Sequence, residues 1–139
     1  MAHETTIKGG CSELRVALAL LNLGWEVANS FIPEVYDLVA RDPINKQWYT
    51  IQVKTIRVRH DRDDALVVQA KKGNGEAYTK DDCDYIAGVE GDRVFMFECA
   101  GQREYWATET SASQRWIELT AVSENEETNE NETEEIKHG

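Results

Sequence analysis

The sequence predicts an α/β domain with a mixed β-sheet at its centre and helices on its flanks. Three observations lead to this fold class. An apolar stripe with helical spacing lies near the N-terminus, several short runs rich in β-branched residues follow it, and a capped acidic segment interrupts those runs. The order is helix, strands, short helix, strands, which is typical of a sheet covered by helices.

The length of the chain allows one such domain. It has 139 residues, and residues 124–135 contain seven acidic side chains and no apolar one. A segment of this composition cannot bury enough surface to offset its ordering entropy. We therefore expect one domain over residues 1–123 and a disordered acidic tail over residues 124–139.

Composition excludes several classes of protein. A formal net charge of −11 argues against a non-specific nucleic-acid coat protein. The three cysteines have no paired spacing and the three histidines are isolated, which argues against a disulfide framework and against a zinc site. The sequence shows neither a membrane-spanning run nor a signal-peptide pattern, so a reducing cytoplasm is the expected compartment.

The first predicted element is a helix. Residues 1–8 are expected to form an arm, and Gly9-Gly10 to break the chain before a helix from about Ser12 to Leu23. Its expected buried stripe repeats at helical spacing. The members of that stripe are Leu14, Ala17, Leu18 and Leu21.

Strands are predicted to make up most of the remaining chain. Their expected ranges are 25–31, 35–41, 47–59, 65–70, 85–89 and 93–98. Thr79 is expected to cap a short helix with Asp81 and Asp82 in its first turn. Residues 102–119 are left open, because their aromatic pairs either pack on the sheet edge or form a subunit contact.

The third predicted strand carries the most informative pattern. Gln52 and Lys54 interrupt its apolar run and point to the same face, because side chains alternate along a strand. An amide beside an ammonium is a poor core filling. If residues 36–40 pair with this strand as a hairpin, Asp37 reaches both side chains. Carboxylate and amide oxygens suit a hard divalent cation, and Lys54 would place a positive charge beside a phosphate.

This pattern resembles that of the PD-(D/E)XK nucleases, which have an acid on one strand and acid-x-Lys on the next. Here the elements are Asp37 and then Gln52-x-Lys54, with Tyr36 in place of the usual Pro and Gln52 in place of the second acid. The sequence of residues 51–55 is similar to that of a subgroup that carries Gln in place of the second acid. That subgroup includes small phage and bacterial endonucleases and a group I intron homing endonuclease.

Two further segments extend the resemblance over roughly residues 6–98. Lys8-Gly9-x-x-x-Glu13 and the helix after it resemble Holliday-junction resolvases of the same superfamily, in which the matching Glu joins the metal site. Residues 78–85 resemble the downstream segment of the intron-type subgroup.

The resemblance implies a restriction-endonuclease-like core and a Mg²⁺-dependent DNA endonuclease, in which Mn²⁺ substitutes. Asp37 and Gln52 would hold the metal, helped by the backbone carbonyl of Val53 and by Glu13. Lys54 would orient and polarise the attacking water.

Each of these assignments has a structural alternative. Asp37 can be a strand-end carboxylate paired with an arginine, and Gln52 can be a cross-strand hydrogen-bonding group. Lys54 can be an edge lysine whose ammonium extends to water. Glu13 can simply complement the dipole of its helix.

The expected partner is DNA, branched or duplex, and the expected assembly is a homodimer or a higher homo-oligomer. The candidate DNA contacts are Lys8, Arg57, Arg59, Lys71, Lys72 and Lys80. The loop at residues 71–75 can equally be a solvated turn, and the acidic tail can compete with DNA for the basic face.

Three functions remain open from the sequence. The Lys8–Glu13 segment favours resolution of branched DNA during recombination, and we place this first because little chain remains for a base-reading module. Residues 51–55 and 78–85 favour a site-specific homing-type endonuclease. A non-catalytic DNA-binding module on a nuclease scaffold is the third, because a fold does not fix a function.

Overall fold

The structure is a computed structural model that describes residues 3–120. The helices are α1 (Glu4–Asn22) and α2 (Ala112–Arg115), and the strands are β1 (Glu26–Ala28), β2 (Leu38–Arg41), β3 (Trp48–Arg59), β4 (Ala65–Gln69), β5 (Tyr85–Glu90), β6 (Arg93–Glu98), β7 (Glu104–Ala107) and β8 (Ile117–Glu118). The predicted acidic tail lies outside the described residues.

The strands form a mixed sheet, as predicted. The order of the main path is β1-β2-β3-β5-β6-β8. The pairing of β3 with β5 is parallel, and the other strand pairs are antiparallel. The long strand β3 belongs to two layers, because its first part lies between β2 and β5 and its last four residues pair with β4, which in turn pairs with β7.

Each face of the sheet has its own apolar core. Val16 and Leu20 of α1 pack against Ile51 and Val53 of β3 on one face. The other face is covered by β4, β7 and the single turn of α2, and Ile56 of β3 lies in that core. Because side chains alternate along a strand, Gln52 and Lys54 point to the same side as Ile56, away from α1.

The expectation of an N-terminal arm is wrong, because α1 begins at Glu4 and continues through Gly9 and Gly10. The ring Nδ1 of His3 caps the first turn by accepting a hydrogen bond from the Thr5 amide at 3.4 Å. Extending an existing helix costs much less than starting one, so two glycines do not stop it. In the described part of the chain, no helix is both long and apolar enough to cross a membrane.

The expected buried stripe of α1 is also wrong. The side chains that α1 buries are those of Ser12, Val16 and Leu20. Leu14, Leu18 and Leu21 are 70%, 59% and 53% exposed, and Ala17 is half-buried. The helix carries two apolar stripes on roughly opposite sides, and spacing alone does not say which one meets the sheet.

The short helix predicted after Thr79 is absent, and a turn takes its place. One carboxylate oxygen of Asp82 accepts hydrogen bonds from the Thr79 amide at 2.9 Å and from its hydroxyl at 3.3 Å. The carboxylate of Asp82 therefore closes the turn back onto Thr79, where the prediction placed it in a helical first turn.

The segment that the sequence left open contributes to the sheet and to its core. Tyr105 on β7 and Trp116 after α2 are buried, whereas Trp106 and Ile117 are 44% and 60% exposed. One residue of each predicted aromatic or apolar pair packs inward and its neighbour faces out, as strand alternation requires. The first two strands are shorter than predicted, and the ranges predicted for β3 to β6 agree closely with the structure.

Two glycines allow opposite predictions about stability. Replacing Gly9 by Ala should stabilise the protein by about 0.5–1 kcal/mol, because a helical glycine costs backbone entropy and an added Cβ meets nothing within 4 Å. Replacing Gly88 by Ala should destabilise it by about 1–3 kcal/mol, because the new Cβ would lie 2.8 Å from the Ile56 Cγ1. Denaturant unfolding of both variants checks this, and equal effects would contradict the described packing.

Candidate active site

The hairpin of β2 and β3 brings Asp37 to Val53, the residue after Gln52. Leu38 pairs with Ile51, and Asp37 directly precedes Leu38 at the end of β2. The Asp37 amide donates a hydrogen bond to the Ile51 carbonyl at 2.9 Å. Its carboxylate Oδ2 accepts one from the Val53 amide, also at 2.9 Å. The Asp37 carboxylate is therefore fixed by the backbone of β3, and the alternative of a pair with an arginine is not what the structure shows.

The side chain of Gln52 is the least satisfied polar group at this position. It is 8% exposed, and its Nε2 donates to the neighbouring Val53 carbonyl at 3.3 Å. Its carbonyl oxygen Oε1 is buried and has no hydrogen-bond partner within residues 3–120. A buried acceptor without a partner costs about 1–3 kcal/mol, so the simple alternative of a cross-strand hydrogen-bonding role does not account for it.

The backbone of Val53 faces the place where β2 has ended. Ile51 bonds towards β2, and Val53, two residues further on, directs its amide and carbonyl to the same edge of the strand. Because no residue of β2 lies opposite them, the Asp37 carboxylate takes the amide. The Val53 carbonyl lies at this open edge of β3, which we call the rim, and it accepts a hydrogen bond from the Gln52 side-chain amide.

Glu13 of α1 approaches this group from the other side of the β2 end. Glu13 and Asp37 both line a cleft of about 370 Å³ beneath the loop of residues 29–36. Burial raises the pKa of the Glu13 carboxyl above its ordinary value, and the negative charge of Asp37 raises it further. Burial also raises the pKa of Asp37, while the Val53 amide and the charge of Lys54 act in the opposite direction. A cation near these two carboxylates would favour their charged forms and oppose the rise of both pKa values.

Lys54 lies on the same face as Gln52 and is half-buried. Its ammonium Nζ is 5.0 Å from the centroid of the Tyr78 ring, within the range of a cation–π contact. Tyr78 is itself buried, and its carbonyl accepts a hydrogen bond from the Cys99 thiol at 3.2 Å. The ammonium is therefore placed over a fixed aromatic ring, so the alternative of a lysine that simply extends into water does not describe it.

Sequence reasoning missed two residues that position this group. The sequence placed Tyr78 and Asp84 in a motif but assigned no contact to either residue. In the structure, the Asp84 Oδ2 accepts hydrogen bonds from the Thr50 amide at 2.8 Å and from the Thr50 hydroxyl at 3.1 Å. This pair sets the register of β3 against β5. A carboxylate directly before a buried strand was the available signal, although it named no partner.

The six candidate DNA contacts do not form one free basic face. Arg59 pairs with Asp61 at 2.8 Å. Lys72 pairs with Asp82 at 3.1 Å, and Lys80 with Glu98 at 3.2 Å.

The other three candidates differ from these. Lys8, Arg57 and Lys71 are exposed and have no ion-pair partner among residues 3–120. Lys71 opens a tight hairpin, since it bridges to Ala77. The hairpin leads directly into Tyr78, whose ring lies beneath the Lys54 ammonium.

The oxygen atoms gathered here fit a hard divalent cation. They are the carboxylates of Asp37 and Glu13, the orphaned Oε1 of Gln52 and the Val53 carbonyl. No cluster of three or more His, Cys, Asp or Glu side chains that could hold a metal occurs within the described residues. A site in this region would therefore depend on amide and backbone oxygens besides two carboxylates, a set that Mg²⁺ and Ca²⁺ accept and that soft metals do not favour.

Comparison with known proteins supports the fold. No family model and no curated protein matches the sequence. Among solved structures, the fold is similar to that of I-Ssp6803I, a bacterial homing endonuclease, with a TM-score of 0.60 and 20% sequence identity over 83% of each chain. This likeness confirms the predicted α/β core with a central mixed sheet. The PD-(D/E)XK and resolvase resemblances stay predictions.

The proximity of the two carboxyl groups has a measurable consequence. Replacing Asp37 by Asn keeps an oxygen for the Val53 amide but removes the negative charge beside Glu13. The pKa of Glu13 should fall towards its ordinary value without reaching it, because burial is the larger cause of its rise. A side-chain carboxyl NMR titration measures this. Asp42→Asn, which removes a charge at the opposite end of β2, is the control and should leave the Glu13 pKa unchanged.

Proposed function

We propose that the protein is a divalent-metal-dependent endonuclease that hydrolyses phosphodiester bonds in DNA. The observation that carries the proposal is the Gln52 Oε1, which is buried and has no hydrogen-bond partner among residues 3–120. The Asp37 carboxylate is hydrogen-bonded to the amide of the next residue, Val53, and Lys54 lies two residues after Gln52 on the same face of β3. The Asp37 carboxylate interacts electrostatically with Glu13 and with Lys54. Carboxylates, an amide oxygen and a lysine ammonium are groups that can serve metal-assisted phosphate chemistry. The shared fold with a homing endonuclease supports DNA as the substrate.

Each residue has a distinct role in this proposal. Asp37, Gln52, Glu13 and the Val53 carbonyl would hold Mg²⁺, with Mn²⁺ as a substitute. The bound metal would stabilise negative charge on the phosphate and lower the pKa of a coordinated water. The Val53 amide keeps the Asp37 carboxylate aimed at the rim. Tyr78 holds the Lys54 ammonium on the face of β3 that carries Gln52, where it would orient the attacking water and stabilise charge that develops on the phosphate.

The substrate class is the second part of the proposal. A homing-type enzyme that cuts duplex DNA at a specific site is favoured by the fold of I-Ssp6803I. A junction-resolving enzyme is favoured by the Lys8–Glu13 segment, whose Glu13 does line the cleft. Both would act as homodimers or higher homo-oligomers, because a duplex or a junction offers two strands to cut. We place the homing-type function first, which reverses the order that the sequence suggested.

Loss of the Lys54 ammonium should abolish cleavage. The Lys54→Ala variant should cut neither a labelled four-way junction, nor matched linear duplexes, nor a mixed-sequence plasmid in Mn²⁺, while the wild-type protein cuts at least one of them. Arg103→Ala removes an exposed cation elsewhere and is the control. Gel analysis of cleavage with and without chelator checks this, and circular dichroism verifies folding. Full activity of Lys54→Ala would refute its role, and an inert wild-type protein would favour a non-catalytic module.

Metal binding should be visible without any cleavage. Mg²⁺ or Mn²⁺ should raise the melting temperature of the wild-type protein, because a ligand that binds the folded state stabilises it. The Asp37→Asn variant should lose that increase, whereas Asp42→Asn, an equal change of charge outside the cleft, should keep it. A metal-induced increase of the same size in both variants would place the cation elsewhere.

A further inference from the structure

The outer side of α1 carries an apolar stripe with no partner among the described residues. We call it the outer seam, and its members are Ile7, Cys11, Leu14, Leu18 and Leu21. Ile7 is 51% exposed, and the three leucines are 70%, 59% and 53% exposed. Cys11 is the exposed cysteine of the chain, since Cys83 and Cys99 are buried. The seam lies roughly opposite the stripe that packs on the sheet.

The spacing of the seam is that of a helix–helix contact. Its members follow one another at alternating steps of four and three residues, which repeats every seven residues over two heptads. The first seven residues of α1 bury no side chain, and the helix passes two glycines there. A packing partner along the seam gives a physical reason for an ordered helix in this part of the chain.

A groove lies beside the seam and gives it a shape that can accept side chains. It has a volume of about 270 Å³ and runs between α1 and β1. Gly10 and Ala17 have small side chains or none, so α1 leaves the groove open at these positions. Leu14 and Leu21 line the groove and also belong to the seam. Protruding leucines next to a recess of the same polarity make the surface self-complementary, as a two-fold interface requires.

Charge indicates which partner fits this surface. The chain has a net charge of −11, yet α1 has two acids and two bases and is neutral overall. Two copies of an acidic protein repel each other least at such a face. DNA or an acidic membrane would require an excess of basic residues flanking the seam, which α1 does not have.

The size of the face fits a weak dimer. A helix of 19 residues is about 28 Å long and about 10 Å wide, so its face is about 280 Å² in projection. The groove widens this face, which stays below the roughly 800 Å² per partner of standard interfaces and is in the range of weak, transient contacts.

We propose that the outer seam of α1 is a homodimer interface, in which two copies of the helix pack antiparallel about a two-fold axis near Leu14. Leu14 lies midway between Ile7 and Leu21, so the axis places Ile7 of each copy against Leu21 of the other. Glu13 lines both the groove and the cleft, and the pairing would therefore fix one cleft relative to the other. The proposal concerns assembly and does not depend on whether the protein cuts DNA.

Sedimentation of the full chain over a wide range of concentration tests the proposal. The wild-type protein should form a dimer. The Leu14→Glu, Leu18→Glu double variant should dissociate at concentrations about tenfold higher or more, since each 1.4 kcal/mol lost changes the affinity tenfold. Ile44→Glu is the matched control, because Ile44 is 90% exposed in the β2–β3 turn. All three substituted positions are exposed, so circular dichroism should show wild-type folding for the double variant and for the control.

Cross-linking at Cys11 tests the orientation. In the proposed packing the two Cys11 residues are separated by six residues, or about 9 Å, along the helix axis. A bifunctional maleimide of similar length should therefore join two copies, and Cys11→Ser should prevent this. A monomeric wild-type protein, a dimer that survives the double variant, a dimer lost in Ile44→Glu, or a wild-type dimer without the Cys11 cross-link would each overturn the proposal.

Discussion

The hydrogen bond from the Val53 amide to the Asp37 carboxylate is the interaction on which the candidate site depends. It occurs where β2 ends and β3 continues, so that β3 presents an amide and a carbonyl with no strand opposite them. The carboxylate replaces the missing strand for the amide. As a result, three oxygen-bearing groups from two strands meet at one rim, and α1 adds Glu13 as a fourth.

Gln52 is an amide at the position where the predicted PD-(D/E)XK pattern has an acid, and this affects the electrostatics around Asp37. A third carboxylate beside Asp37 and Glu13 would raise their pKa values further, because like charges oppose ionisation. The amide avoids that cost but leaves a buried oxygen without a partner. In the proposed cation site, affinity for the cation should therefore depend mainly on the two carboxylates.

Much of the site could be predicted from sequence because strand alternation is strict. The faces of Gln52 and Lys54 and the hairpin with Asp37 follow from a period of two and a short turn. The stripe of α1 could not be predicted in the same way, since two apolar stripes compete and only the tertiary packing selects Val16 and Leu20. The contacts of Tyr78 and Asp84 depend on the parallel pairing of β3 with β5, which a local pattern does not encode.

The contacts of the candidate site differ in the sequence separation of their partners, and this should affect the order in which they form during folding. Asp37 and Val53 are 16 residues apart and are joined by a local hairpin. Asp84 and Thr50 are 34 residues apart. Tyr78, whose ring lies under Lys54, belongs to the same long connection between the parallel strands β3 and β5. Non-local parallel pairing closes slowly, because loop-closure entropy is lost before contacts compensate for it. The contact between Asp37 and Val53 should therefore form early in folding, and Lys54 should reach the Tyr78 ring late, so that the oxygen atoms of the proposed cation site come together before the lysine joins them.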